Sequence, residues 1–305
     1  MKLVLRSMVF TAAMAMCAGA VAQNTPPTTK EIDTTKGFTE IESFQGTVNS
    51  SENVLKLDST LGWDFNKHFG VFAGVPVYFV HVASTTTTAG GVTTTTPSSS
   101  NNGIGNVYVG LAFRASNPAV DYSSALTAGA PTADTKKGFS SGRAAIDWDN
   151  RFEHAFGRLT PFFEGGLGNT VPDSRLFTRP FTSLGFVGHL EEGGEFNLSR
   201  NLFVGASAYE ILPSGNQKIF SRLVARGKAA VGAGKHNRVF ETGATASGND
   251  LTRENGFNSW IGIQPKSSIW LLELGFTRSA TFDLNSFAFN LRMNFGKLLR
   301  SKKTS

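Results

Sequence analysis

The chain has 305 residues, 40% of them hydrophobic, 17% charged and 11% aromatic, with 33 Gly, 26 Phe and one Cys. A charged fraction below the ~25% of ordinary soluble domains, with many aromatics and modest net charge, excludes a disordered chain. The formal charge of +6 sits at the ends: without Lys2, Arg6, Lys297, Arg300, Lys302 and Lys303 the body holds 23 basic and 23 acidic residues, which excludes a basic groove for nucleic acid.

Residues 1–22 read as a signal peptide. Met1 to Arg6 is a short basic region, residues 8–16 are an apolar stretch, and Ala20-Val21-Ala22 offers an A-x-A cleavage site. The stretch is too short for a membrane-spanning helix, which needs about 20 apolar residues. Met16 before Cys17 is larger than lipoprotein processing accepts, so simple cleavage is expected, which would leave the mature chain without thiol chemistry. Residues 23–37 then form a polar N-terminal linker.

From residue 38 onward the hydropathy alternates with period two. Leu55, Leu57, Leu61, Trp63 and Phe65 alternate with Lys56, Asp58, Thr60, Gly62 and Asp64, the mark of a strand with one apolar and one polar face. The same period recurs at 106–114, 143–153, 270–276 and 287–295. Twelve strands are predicted: 38–49, 54–65, 69–81, 104–114, 119–130, 142–154, 159–169, 181–198, 202–212, 256–264, 269–278 and 285–295. Weak alternation in the first and tenth leaves ten or fourteen as alternatives.

Most spans have the length of a tilted membrane strand, about 9–11 residues, rather than the 5–6 of a soluble one. Connections largely alternate between tight turns and long loops, as in outer-membrane barrels. The expectation is an all-β, transmembrane, antiparallel up-and-down barrel over residues 38–295, with short periplasmic turns and long extracellular loops. Hydrocarbon cannot satisfy backbone amides, so a spanning sheet must close on itself. Its partners would be outer-membrane lipid and the barrel assembly machinery, and its place the outer membrane of a Gram-negative cell. Trp63, Phe65, Phe69, Trp148, Phe152, Trp270 and Phe295 would face lipid, some of them in interface belts.

Two loops differ in character. Residues 84–100 are mostly Thr, Ser and Gly, a tract read as an irregular, mobile loop. Residues 213–255 are mixed, and either fold inward as a constriction or stay exposed.

Gly103-Ile-Gly-Asn-Val-Tyr-Val-Gly-Leu-Ala-Phe113, Ala128-Gly-Ala-Pro-Thr132 with Gly138-Phe-Ser-Ser-Gly142, Leu159-Thr-Pro-Phe-Phe163 and Ile211-Leu-Pro-Ser-Gly215 resemble strand and loop motifs of the MetA-pathway of phenol degradation family. The likeness covers about the middle half of the chain, through short Gly-rich motifs. Asn106 stands where that family would place an acid. The resemblance implies an outer-membrane barrel passing hydrophobic or aromatic compounds, and brings no catalytic residues.

By strand parity, Arg143, Asp147, Asp149, Arg151, Glu153, Glu164, His189, Glu191, Glu195, Glu273 and Arg292 point into the lumen, where they avoid the cost of charge in hydrocarbon. Two readings fit: a polar constriction that selects solutes, or an ion-paired network filling a narrow barrel. Phe72, Tyr78, Tyr108, Phe162, Phe203 and Tyr209 share that orientation. The five histidines show no metal-ligand spacing and no Ser–His–Asp motif. No metal, cofactor or enzymatic activity is expected. The function read from the sequence is passive passage of a small, partly hydrophobic solute. The alternative is a structural barrel acting through its surface loops, and a hydrolase comes a distant third. Phe295 would be the terminal aromatic residue of the barrel, followed by a basic tail over 296–305.

Overall fold

A computed structural model describes residues 37–49, 52–82, 84–89, 92–96, 98–171, 173, 183–215, 217–225, 238–248, 253–265, 269–281 and 283–295. The expected signal peptide, the linker up to residue 36 and the basic tail lie outside the described residues. Eighteen strands follow in chain order: β1 Gly37–Asn49, β2 Glu52–Asp64, β3 Phe69–Val82, β4 Thr85–Ala89, β5 Val92–Thr96, β6 Ser99–Ile104, β7 Tyr108–Ser116, β8 Asp121–Gly129, β9 Ala145–Glu153, β10 Leu159–Gly168, β11 Ser183–Leu184, β12 Val187–Asn197, β13 Leu202–Pro213, β14 Gln217–Ala225, β15 Arg238–Gly248, β16 Glu254–Ile263, β17 Trp270–Ser279 and β18 Leu284–Asn294.

Thirteen of these form one antiparallel sheet, in the order β2-β1-β18-β17-β16-β13-β12-β10-β9-β8-β7-β3-β6, and β2 also pairs with β3, so the sheet closes into a barrel. β6 and β7 are two halves of one stave, because both pair with β3: Val77 opposite Ile104, then Gly74 opposite Tyr108. The barrel therefore has twelve staves. The break between the halves falls at Pro76, which has no amide to offer the ladder. There a single bond crosses, from Gly105 N–H to Pro76 O at 2.7 Å. First and last strands meet along Ile41–Asn49 and Ser286–Asn294.

The outer face carries the apolar positions of every stave, among them Leu61, Trp63, Val109, Leu111, Ile146, Trp148, Leu167, Ile261, Leu274 and Phe287, all largely exposed. Soluble monomers do not expose so continuous an apolar band, and a bilayer covers one. Aromatic rings touch along the short-turn end of this band: Phe69–Phe113 at 5.0 Å, Phe113–Tyr122 at 6.0 Å and Tyr122–Phe152 at 4.8 Å. Toward the long-loop end Phe257, Phe276 and Phe287 form a second row. Two aromatic girdles bounding an apolar band are the outer surface of a transmembrane barrel. No helix long and apolar enough to cross a membrane occurs among the described residues.

Three details differ from the sequence reading. The Thr-rich tract is not an irregular loop: β4 and β5 pair from Thr85–Thr96 to Ala89–Val92, as suits β-branched residues. In the longest loop β14 and β15 form a hairpin whose β14 also pairs with β11, so residues 183–184 belong to this small sheet and β12 starts only at Val187. Finally, β9 starts at Ala145 rather than at residue 142.

Candidate functional site: the barrel lumen

The described side chains of the lumen fall into three tiers. At the short-turn end an apolar floor packs Phe162, Phe203, Trp260, Leu271 and Ala288 from five staves. Arg114 of β7 bonds Asp64 of β2 at 2.8 Å at the same end. Each large ring needs a neighbour without a side chain. Phe203 lies opposite Gly262, and Trp260 opposite Gly205.

The middle tier is polar. Asp147 of β9 meets His189 of β12 at 3.1 Å. Arg151 donates through Nε to Glu153 at 3.0 Å, holds Glu164 of β10 at 4.0 Å, and lies 5.4 Å from the centre of the Phe162 ring. Glu191 accepts from Ser207 and from Asn258 Nδ2, the latter at 3.1 Å. Thr277 donates to Asn258 Oδ1 at 2.8 Å, so one network joins β12, β13, β16 and β17. Across the barrel seam Asn290 donates to Glu273 at 3.0 Å and accepts from Ser43 at 3.2 Å, joining β17, β18 and β1. On the adjoining wall of β2, β3 and β7, Tyr108 donates to Asp58 at 2.8 Å.

The third tier lies toward the long-loop end, and loop residues build it. Phe139, Ser140 and Ser141, between β8 and β9, are buried. Phe139 stacks on Tyr78 at 5.6 Å and packs with Val54 and Val80. Gly138 (φ 75°) and Gly142 (φ 68°) bracket this inward turn. Both lie in the left-handed region that glycine enters without strain. Asn106, at the β6–β7 junction, accepts from the Ala133 amide at 3.3 Å and so pins the start of the loop. From the next loop Asp173 reaches Lys56 at 3.1 Å, while Asp58 holds the same ammonium at 2.9 Å. Lys56 is only 2% exposed.

Most residues assigned to the lumen from sequence are placed on its inner face. Asp149, Arg151, Glu153, Glu164, His189, Glu191, Glu195 and Glu273 are buried there, and Asp147 is half-buried. Arg292 is half-buried on the inward parity of β18, opposite Ser43 and Leu271. Arg143 is placed elsewhere: it precedes β9 and is exposed in the loop. Lys56, Asn258, Phe139 and Asp173 join the site without having been singled out. Lys56 and Asn258 lie on inward positions that parity alone would have found, whereas the two loop residues carry no periodic signal.

This architecture places the chain among known proteins. Its fold is that of an outer-membrane β-barrel. No protein-family model matches the sequence, and no curated protein matches it. Among solved structures, the COG4313 outer membrane channel from Pseudomonas putida F1 overlays with a TM-score of 0.55 at 10% identity, covering 89% of this chain and 100% of that one. A FadL homologue from Pseudomonas aeruginosa (TM-score 0.41, 10% identity, 85% and 75% covered) and the NanC porin (TM-score 0.41, 9% identity, 83% and 98% covered) overlay too loosely to carry an inference. At such identities the likeness concerns the fold alone. Away from the lumen, the exposed His81 places Nδ1 2.9 Å from Ser100 Oγ, and no carboxylate bonds this histidine among the described residues.

Proposed function

We propose that this barrel resides in the outer membrane and passively admits a small, partly apolar solute, and that it rests closed. The observation that carries this reading is the nature of the stopper. At the long-loop end Phe139–Ser141 and Asp173, which belong to loops and not to the wall, reach into the lumen. Such segments can withdraw while every strand pairing stays intact. A lumen mixing Tyr78, Tyr108, Phe162 and Tyr209 with carboxylates suits a solute with an aromatic body and a polar group. The sequence resemblance to the MetA-pathway of phenol degradation family, and the fold shared with a protein named as a channel, support the same reading.

A second reading, a barrel acting only through its surface loops, is favoured by the density of the polar middle tier. Uptake separates the two. Vesicles carrying the purified barrel should take up phenol faster than empty vesicles, and Phe139→Ala should increase the rate. Equal rates for barrel-containing and empty vesicles, with no gain in the variant, would favour the second reading.

A further inference from the structure

Among the described residues, the middle tier holds a buried carboxylate to which no side chain donates a hydrogen bond. Asp149 is 3% exposed, and neither of its oxygens has a hydrogen-bond partner. It points to the place where Glu164 of β10 and His189 of β12 also present buried ligand atoms. One oxygen from each carboxylate and one imidazole nitrogen all lie within 4.8 Å of one another. The three strands are adjacent, and Gly166 makes the meeting possible. It stands directly opposite both Asp149 and His189, and a Cβ on it would fall 2.2 Å from His189 Nε2. The imidazole lies across the bare backbone of β10 toward β9, where Asp147 bonds it.

The charges facing this point do not balance. Asp147, Asp149, Glu164 and Glu191 converge on it from three strands. Among the described residues the cations facing it are Arg151, whose guanidinium is engaged by Glu153 and Glu164, and His189. A buried carboxylate without a partner is strongly disfavoured, and a bound cation removes that penalty.

We propose that Asp149, Glu164 and His189 bind a first-row divalent transition-metal ion, with Zn(II) the representative case, inside the lumen. One imidazole and two carboxylates form a mixed nitrogen and oxygen donor set that suits such ions better than calcium or magnesium. A tetrahedral zinc site places its ligand atoms about 3.3 Å apart, so modest side-chain rotations would close the observed spread of 4.8 Å. Asp147 is a positioning residue: it holds His189 from outside the ligand set, as carboxylates commonly hold metal-bound histidines. The ion would tie β9, β10 and β12 together across the lumen.

The test uses the full-length barrel purified in detergent, treated with EDTA and then titrated with Zn(II) by calorimetry. Cobalt(II) absorption provides a spectroscopic readout. Binding of one equivalent per chain is expected. Asp149→Asn and His189→Gln should each weaken it at least tenfold, and His189→Gln should also abolish the cobalt band assigned to nitrogen ligation. Asp147→Asn should weaken it about tenfold, and Glu195→Gln, a lumen carboxylate outside the cluster, should leave it unchanged. Heat-modified gel mobility verifies that each variant is a folded barrel. Absence of stoichiometric binding in the wild type, or unchanged affinity in both Asp149→Asn and His189→Gln, would overturn the proposal.

Discussion

Gly166 is bare because a neighbour's side chain occupies the space above it. A methyl group there meets His189 Nε2 at 2.2 Å and the Trp148 carbonyl at 2.8 Å. The ring can move aside but the backbone carbonyl cannot. Gly166→Ala is therefore expected to destabilise the barrel by about 1–3 kcal/mol through overpacking. Urea titration in micelles reads this directly, and a midpoint equal to that of wild type would contradict the packing described. Asn258 makes the opposite case, of a side chain that cannot be spared. It bonds Glu191, Ser207 and Thr277 at once. Asn258→Leu leaves those groups buried with fewer partners, at a cost of about 1–3 kcal/mol for each group left unsatisfied. The same titration measures it, and a neutral effect would mean that the network contributes nothing to stability.

At the scale of the strand, sidedness dominates. Leu111 of β7 is 59% exposed on the outer face, while its neighbours Gly110 and Ala112 face inward and are buried. An arginine at position 111 would put its charge in hydrocarbon, so Leu111→Arg should cost about 2–4 kcal/mol near mid-depth. Reversible unfolding from lipid vesicles is the appropriate assay, and a cost near zero would place this face away from lipid. This sidedness explains why the staves were legible in the sequence. Hydrocarbon outside and packed polar groups inside force period two on every strand, and Leu55–Phe65 displays it without any structural information. Irregular positions were less legible. Pro76 interrupts the pairing of β3 with the β6–β7 stave through a missing amide, which leaves no trace in hydropathy. The β4–β5 hairpin is almost entirely Thr, so its composition resembled that of a loop. Arg143 kept the parity of β9 for two residues beyond the point where that strand begins.

At the scale of the whole molecule, the site is a product of strand register. Asp149, Glu164 and His189 come from three neighbouring staves, and the pairing of those staves and the gap at Gly166 bring them together. No spacing within one segment could reveal them, although parity placed each of them inside. The stopper was less legible still, because Phe139 and Asp173 reach the lumen through loop geometry. The glycines at 138 and 142 were visible in the sequence, but their left-handed conformation was not.

On the proposed reading, the two loops define how the barrel would open. Asp173 is held by Lys56 and Phe139 by Tyr78, so removing both contacts should release the mouth without disturbing a strand. Single-channel recording in a planar bilayer tests this most directly, comparing the wild type with the Phe139→Ala, Asp173→Ala double variant, each confirmed as folded by heat-modified gel mobility. A closed, loop-stoppered conduit predicts rare, small conductance steps for the wild type and larger or more frequent steps for the double variant. Silence from both proteins would contradict it and would leave a barrel whose interior is purely structural.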